Sequence, residues 1–121
     1  MKDESQYSPG IQAYLKKAEA MLAQRRELIK QVRNYKFDTI AVHGLYNYQE
    51  AINNNQGAII EPIYLATSQA YRDADELEAA LAYLIPTWCY TRIANPTIYY
   101  LEWVLALLEG YQTGVETSCL V

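Results

Sequence analysis

With 121 residues, 51% of them hydrophobic, the chain has the size of one ordinary domain. A net charge of −4 argues against nucleic acid as a partner of the main body, and two cysteines with no Cys-x-x-Cys pair exclude a disulfide framework. One histidine without a Cys/His cluster leaves metal binding unsupported, and no apolar run reaches the length of a membrane span.

The charge is unevenly spread. Residues 1–36 carry eight Lys/Arg against four acids, and residues 37–121 carry two against ten. Arg72 and Arg92 are the only cations of that acidic second part. The first nine residues read as polar and disordered, and without an apolar core they do not form a secretory signal. From Pro9 to Arg33 the pattern is helical: Ile11, Leu15, Ala18, Leu22, Ile29 and Val32 recur at spacings of three and four, with Arg25 the one exception. Lys16, Lys17, Arg26, Lys30 and Arg33 fall mostly off that stripe, which gives a basic amphipathic helix. Glu19 and Glu27 interrupt the basic run and no aromatic anchors the apolar stripe, so a solvated face is favoured over an anionic or membrane surface.

Residues 37–45 read as a short helix or turn, with Asp38 a candidate N-cap. His43 has no partner Ser, Cys or carboxylate arrangement and reads as structural. Asn53-Asn-Asn-Gln-Gly57 is a loop by composition, and residues 58–70 read as extended, with Pro62 confining them to irregular or edge structure. Asp73, with Glu76 three residues on, predicts a capped helix burying Leu77, Ala80, Leu81 and Leu84 and ending at Pro86. A third helix is predicted over 97–109, with Gly110 as its stop, apolar nearly all round and in need of cover on most sides. Residues 117–121 read as the start of a strand, and Cys89 and Cys119 as small, reduced, buried side chains.

Between the second and third helices lies Pro86-Thr-Trp-Cys-Tyr-Thr-Arg-Ile-Ala-Asn-Pro-Thr97. Pro96 disfavours helix at Asn95, so the preceding run is expected to be extended or turn-like. In an extended chain Tyr90 and Arg92, two apart, would point to one side and converge on one spot. A phosphate suits such a pair, because Arg offers a planar fork of donors that does not titrate away and Tyr adds an O–H. An arginine stacked on a tyrosine and solvated on a loop is the competing reading of the pair alone.

Tyr90-Thr-Arg-Ile-Ala-Asn-Pro-Thr97, followed by Leu101-Glu102 and Leu108-Glu109-Gly110, resembles the Tyr-Ser-Arg-x-x-Asn-Pro-Thr signature of the Cys/Met-metabolism (transsulfuration) enzymes that use pyridoxal phosphate. Thr39-Ile-Ala-Val-His-Gly44 and Pro62-Ile-Tyr-Leu-Ala-Thr-Ser68 are similar to two further landmarks of that family, in the same order. The resemblance runs from Phe37 to Val121. It implies an α/β, type I pyridoxal-phosphate fold, of which this chain would hold only the N-terminal arm and the first helix of the large domain. This part would be mainly α-helical with extended segments. The implied division is a basic helical extension over 1–36, an arm carrying the Tyr-x-Arg motif over 37–96, and the start of the cofactor-binding domain over 97–121.

The resemblance also implies a homodimer or homotetramer in which Tyr90 and Arg92 reach the cofactor phosphate of the neighbouring subunit. Thr91 stands where Ser is usual, and Asn95-Pro96-Thr97 match a turn into the helix with a structural role. The implied reaction is γ-replacement or γ-elimination on a homoserine-derived amino acid, in the cytoplasm. The Schiff-base lysine and the groups that hold the ring and the substrate carboxylate would lie beyond Val121. This chain by itself is therefore expected to be an inactive N-terminal part of the enzyme, with no catalytic or metal-binding residue of its own. The alternative is a short, non-catalytic helical interaction protein that retains the motif.

Overall fold

Ser8 starts the first helix: its Oγ accepts the Ile11 N–H at 3.2 Å, and Pro9 follows at the first helical position, where a missing N–H does no harm. The structure, a computed structural model, describes residues 4–110. The strand expected over 117–121, and Cys119, lie outside the described residues. Among the described residues the protein is helical, with no strand and a single isolated bridge between Tyr90 and Ala94. A 3-10 turn, Glu4–Gln6, stands where disorder was expected. The helices are α1 Pro9–Val32, α2 Phe37–His43, α3 Tyr48–Asn54, α4 Ala74–Leu81 and α5 Pro96–Glu109. None is long and apolar enough to cross a membrane.

The chain forms two units, one of residues 1–26 and 66–94, the other of residues 27–65 and 95–121. In the first unit Ile11 and Ala18 of α1 and Ala79 and Ala80 of α4 are buried. The Ser8 hydroxyl donates to Asp75 Oδ1 at 3.0 Å and the Tyr14 phenol to Asp73 Oδ2 at 2.8 Å, which ties the start of α1 to the start of α4. Asp73 caps α4 as its spacing predicts, accepting the Glu76 N–H at 2.8 Å. Glu76 reaches back one residue further than a capping box requires, to the Arg72 N–H at 2.7 Å and the Arg72 guanidinium at 2.8 Å.

Two expectations for α4 fail. Leu77 and Leu81 are exposed, and the alanines take the buried stripe. The helix also ends at Leu81, well before Pro86. Tyr83 adopts a φ of 55°, and the Leu84 and Tyr83 N–H groups close back on the Ala79 and Ala80 carbonyls at 2.9 and 3.1 Å. This is a Schellman closure with tyrosine at the left-handed position that glycine usually fills.

In the second unit Ile29 and Val32 of α1 pack with Ile40 of α2, Leu45 and Leu107 of α5, flanked by Leu28, Trp103 and Leu108. Lys36, rather than Asp38, is the N-cap of α2, without a side-chain bond; Asp38 sits inside the first turn, where its charge still suits the helix dipole. Gly44 ends α2 at a φ of 53°, and a Cβ there would lie 2.5 Å from Val104 Cγ2, so glycine is what allows α2 and α5 their approach. Helix α3 was not expected. Asn47 caps it by accepting the Glu50 N–H at 2.9 Å, and it takes in Asn53 and Asn54, the first two residues of the run expected as a loop.

Helix α5 ends as predicted, with Gly110 as C-cap, and begins at Pro96, one residue before the expected Thr97, with Asn95 as N-cap. It buries Pro96, Tyr100, Ala106 and Leu107, while Leu101 and Leu105 remain exposed. Residues 58–65 of this unit are irregular and leave Ile59, Ile60, Ile63 and Leu65 open to solvent.

Candidate functional site

The motif divides at Ala94. In the first unit, residues 90–94 close on themselves: the Tyr90 carbonyl accepts the Ile93 and Ala94 N–H groups at 2.8 and 2.9 Å. The run before Pro96 is thus a turn, and the same-side argument for Tyr90 and Arg92, which needs an extended chain, does not apply. The reason is local. Proline restricts only the residue before it, and Asn95 is extended, at φ −141° and ψ 139°. Tyr90 and Arg92 are both exposed on this turn. Among the described residues, the Arg92 side chain has no carboxylate or hydrogen-bond partner, and no bond joins it to the Tyr90 phenol.

Thr91, between them, holds the turn to its unit. Its hydroxyl donates to the Ala66 carbonyl and its N–H to the Thr67 carbonyl, the latter at 3.0 Å. Just upstream, the Tyr71 phenol donates to the Trp88 carbonyl at 3.1 Å. Burial pushes that phenol above its ordinary range, with the neighbouring Cys89 adding to the shift. Cys89 itself is half-buried and unpaired.

The second unit takes the rest of the motif. Buried Asn95 does two things at once: Oδ1 accepts the Thr97 N–H at 2.9 Å, capping α5, and Nδ2 donates to the Tyr64 carbonyl at 3.1 Å. Thr97 Oγ1 accepts the Tyr64 N–H at 2.8 Å. Both backbone groups of Tyr64 are therefore satisfied by side chains of the Asn-Pro-Thr segment, which gives that segment the structural role expected of it.

A polar network lies below. The Tyr64 phenol donates to Asn55 Oδ1, Asn55 Nδ2 donates to the Tyr100 oxygen at 3.0 Å, and the Tyr100 phenol donates to Glu50 Oε1 at 2.8 Å. Asn54 Nδ2 completes Glu50 through Oε2 at 2.8 Å. Burial, with the Glu50 carboxylate as acceptor, pushes the Tyr100 phenol well above its ordinary range, although the Asn55 amide works against it. Tyr46 meets Tyr100 edge to face at 5.3 Å between ring centres and donates to the Ala58 carbonyl at 2.7 Å. His43 has no part in this network. No group of His, Cys, Asp or Glu among the described residues is arranged to hold a metal.

Sequence reasoning named Tyr90 and Arg92 and missed what fixes them. Thr91 was legible as a small hydroxyl residue, and the signal was there to follow: a hydroxyl between two ligand candidates needs an acceptor. The Glu50–Asn55–Tyr100 network left no comparable trace, because its members lie 45 and 50 residues apart.

The chain has relatives among known proteins. The chain is 37% identical over 86 residues to an L-methionine gamma-lyase of Pseudomonas deceptionensis, covering 71% of this chain and 21% of that protein. It is 34% identical over 82 residues to a homocysteine/cysteine synthase of Kluyveromyces lactis, covering 68% of this chain and 18% of the synthase. This chain is related to the Cys/Met-metabolism, transsulfuration-type enzymes. An O-acetyl-L-homoserine sulfhydrylase of Leptospira meyeri is a further transsulfuration relative, 34% identical over 86 residues, 71% of this chain and 19% of the sulfhydrylase. The chain spans about a fifth of the length of these relatives. No protein-family profile matches it, and no solved structure does.

Proposed function

We propose that this chain is part of a pyridoxal-phosphate-dependent enzyme of sulfur amino-acid metabolism, with Tyr90 and Arg92 as ligands of the cofactor phosphate. The observation that carries the reading is the exposed Arg92 guanidinium, free of any carboxylate among the described residues, on an anchored turn in a relative of three such enzymes. An exposed cation without an ion pair among the described residues, in a part of the chain with ten acids and two cations, fits a dianionic phosphate. The cofactor, when bound, supplies an electron sink for a carbanion next to the amino group. Tyr90 and Arg92 would hold its phosphate end by charge-assisted hydrogen bonds and so fix its orientation.

The reading extends to γ-replacement or γ-elimination on homoserine-derived amino acids, which accords with the names of the three relatives. It includes a type I α/β fold for the whole protein, a cytoplasmic homodimer or homotetramer, and Tyr90 and Arg92 serving the neighbouring subunit's cofactor. Residues 1–36, 37–96 and 97–121 would be the extension, the arm and the start of the cofactor domain. This chain alone would be inactive.

Inter-subunit complementation tests the site assignment. In the assembled enzyme, an Arg92→Ala chain is mixed with a chain lacking the Schiff-base lysine. A heterodimer then has one site with both defects and one with neither, so activity returns on mixing. Heterodimers that form without activity would show that Arg92 serves its own subunit.

A further inference from the structure

We infer that Thr91 is a positioning residue for the phosphate site: it fixes the turn that carries Tyr90 and Arg92 by anchoring it to the carbonyls of Ala66 and Thr67. This rests on the phosphate reading of Tyr90 and Arg92. The turn is closed internally, since the Tyr90 carbonyl takes both the Ile93 and Ala94 N–H groups. Internal closure sets the shape of a turn but not its place. Two bonds from one residue set its place: the Thr91 N–H to the Thr67 carbonyl at 3.0 Å, and the Thr91 hydroxyl to the Ala66 carbonyl. They fall on adjacent carbonyls, so they restrain rotation of the turn as well as translation. The Tyr71–Trp88 bond at 3.1 Å holds the chain entering the turn, and Thr91 holds the segment between Tyr90 and Arg92.

The two candidate ligands flank this anchor in sequence and are themselves exposed, so neither is packed into place by its neighbours. Orientation of a bidentate donor is sensitive to small shifts of its backbone. A side-chain hydroxyl at 91 thus does for the site what packing does elsewhere. The anchor also assigns a purpose to Ala66 and Thr67, which belong to the otherwise exposed and irregular end of the Pro62–Ser68 stretch.

The test compares pyridoxal phosphate with pyridoxal, which lacks the phosphate, as titrants of the apo form of the assembled enzyme. Thr91→Val keeps the shape and the backbone N–H but deletes the hydroxyl. It is expected to weaken pyridoxal phosphate about 3- to 10-fold, the worth of one ordinary hydrogen bond, and to leave pyridoxal unchanged. Thr91→Ser is expected to restore the affinity, since it returns the donor. Amide exchange at residues 90–94 in the cofactor-free protein should speed up in Thr91→Val and not in Thr91→Ser. Equal weakening of both titrants, or no weakening of either, would overturn the inference while Arg92→Ala still loses phosphate selectivity. If Arg92→Ala also keeps full phosphate selectivity, the phosphate reading itself falls and takes this one with it.

Discussion

Asn95 and Tyr64 are joined as two strands would be, but with a side chain on one side: the Asn95 amide meets the Tyr64 carbonyl at 3.1 Å while its own oxygen caps α5. Asn95→Ala removes a cap and orphans a carbonyl together. The expected loss is about 2–3 kcal/mol, made of roughly 1 for the cap and 1 or more for the unsatisfied acceptor. Thr97→Val, which deletes only the acceptor for the Tyr64 N–H, should cost about 1 kcal/mol. The double variant should lose less than the sum, because both side chains serve one residue. Urea unfolding measures all three; an Asn95→Ala midpoint equal to the parent's would show that the clamp is idle.

Tyr100→Phe should cost about 1–3 kcal/mol, since the ring still fills its site but Asn55 Nδ2 and Glu50 Oε1 lose their common partner in a buried network. Tyr100 is the better target because one phenol there bridges two groups. Tyr64→Phe, whose phenol serves Asn55 at the half-buried edge, should cost less. Thermal unfolding of the two single variants ranks them, and the reverse order would mean that the network is organised around Tyr64.

Stability should fall in acid through Asp73. The Glu76 N–H, and then the Tyr14 phenol, hold its carboxyl below the usual range, so the folded state binds its proton less readily than the unfolded chain. The contribution is present above the unfolded value of about 4 and is lost as pH falls through the lower folded value. Asp73→Asn keeps a capping oxygen but does not titrate. The difference in unfolding midpoint between parent and Asp73→Asn should therefore be constant near neutrality and shrink below about pH 4. A difference that stays flat into strong acid would remove Asp73 from the acid limb.

For the phosphate site, Arg92→Ala should weaken cofactor retention by about 2–4 kcal/mol, some thirty- to a thousand-fold, with little effect on folding. Tyr90→Phe removes one donor to a charged acceptor and should cost less, about 1.5 kcal/mol. Arg92→Lys should recover only part of the loss, because a point charge does not reproduce the fork. Equilibrium dialysis of the cofactor gives the order. Equal retention in Arg92→Lys and the parent would mean that charge alone, without fork geometry, holds the phosphate.

Much of this was legible because its signals are local. The α1 stripe, the Asp73 cap and both ends of α5 all sit within a few residues of what announces them. The failures are equally physical. Helix α4 stops at a left-handed tyrosine, a closure whose usual sign is a glycine, and nothing in Tyr83 gives it away. Helix α3 does carry a sign, Asn47 three residues before Glu50, but seven residues ending in asparagines compete with it as a loop. Tyr90 and Arg92 were named from residue type; of the extended or turn-like backbone expected for them the turn is observed, because Pro96 restricts only its one neighbour. The anchors of Thr91 and Tyr64 are long-range and are written only in three dimensions.

Handedness offers a separate hold on the contact between α2 and α5. At Gly44 the torsion and the approach of Val104 both disfavour an L side chain, and both arguments concern the same one of its two hydrogens. D-alanine replaces the other hydrogen, turns the methyl away from the position that meets Val104, and finds a φ of 53° on its own preferred side of the map. The end of α2 thus disfavours an L side chain by its stereochemical sense as well as by its volume, and a semisynthetic chain with the mirror-image residue would separate the two.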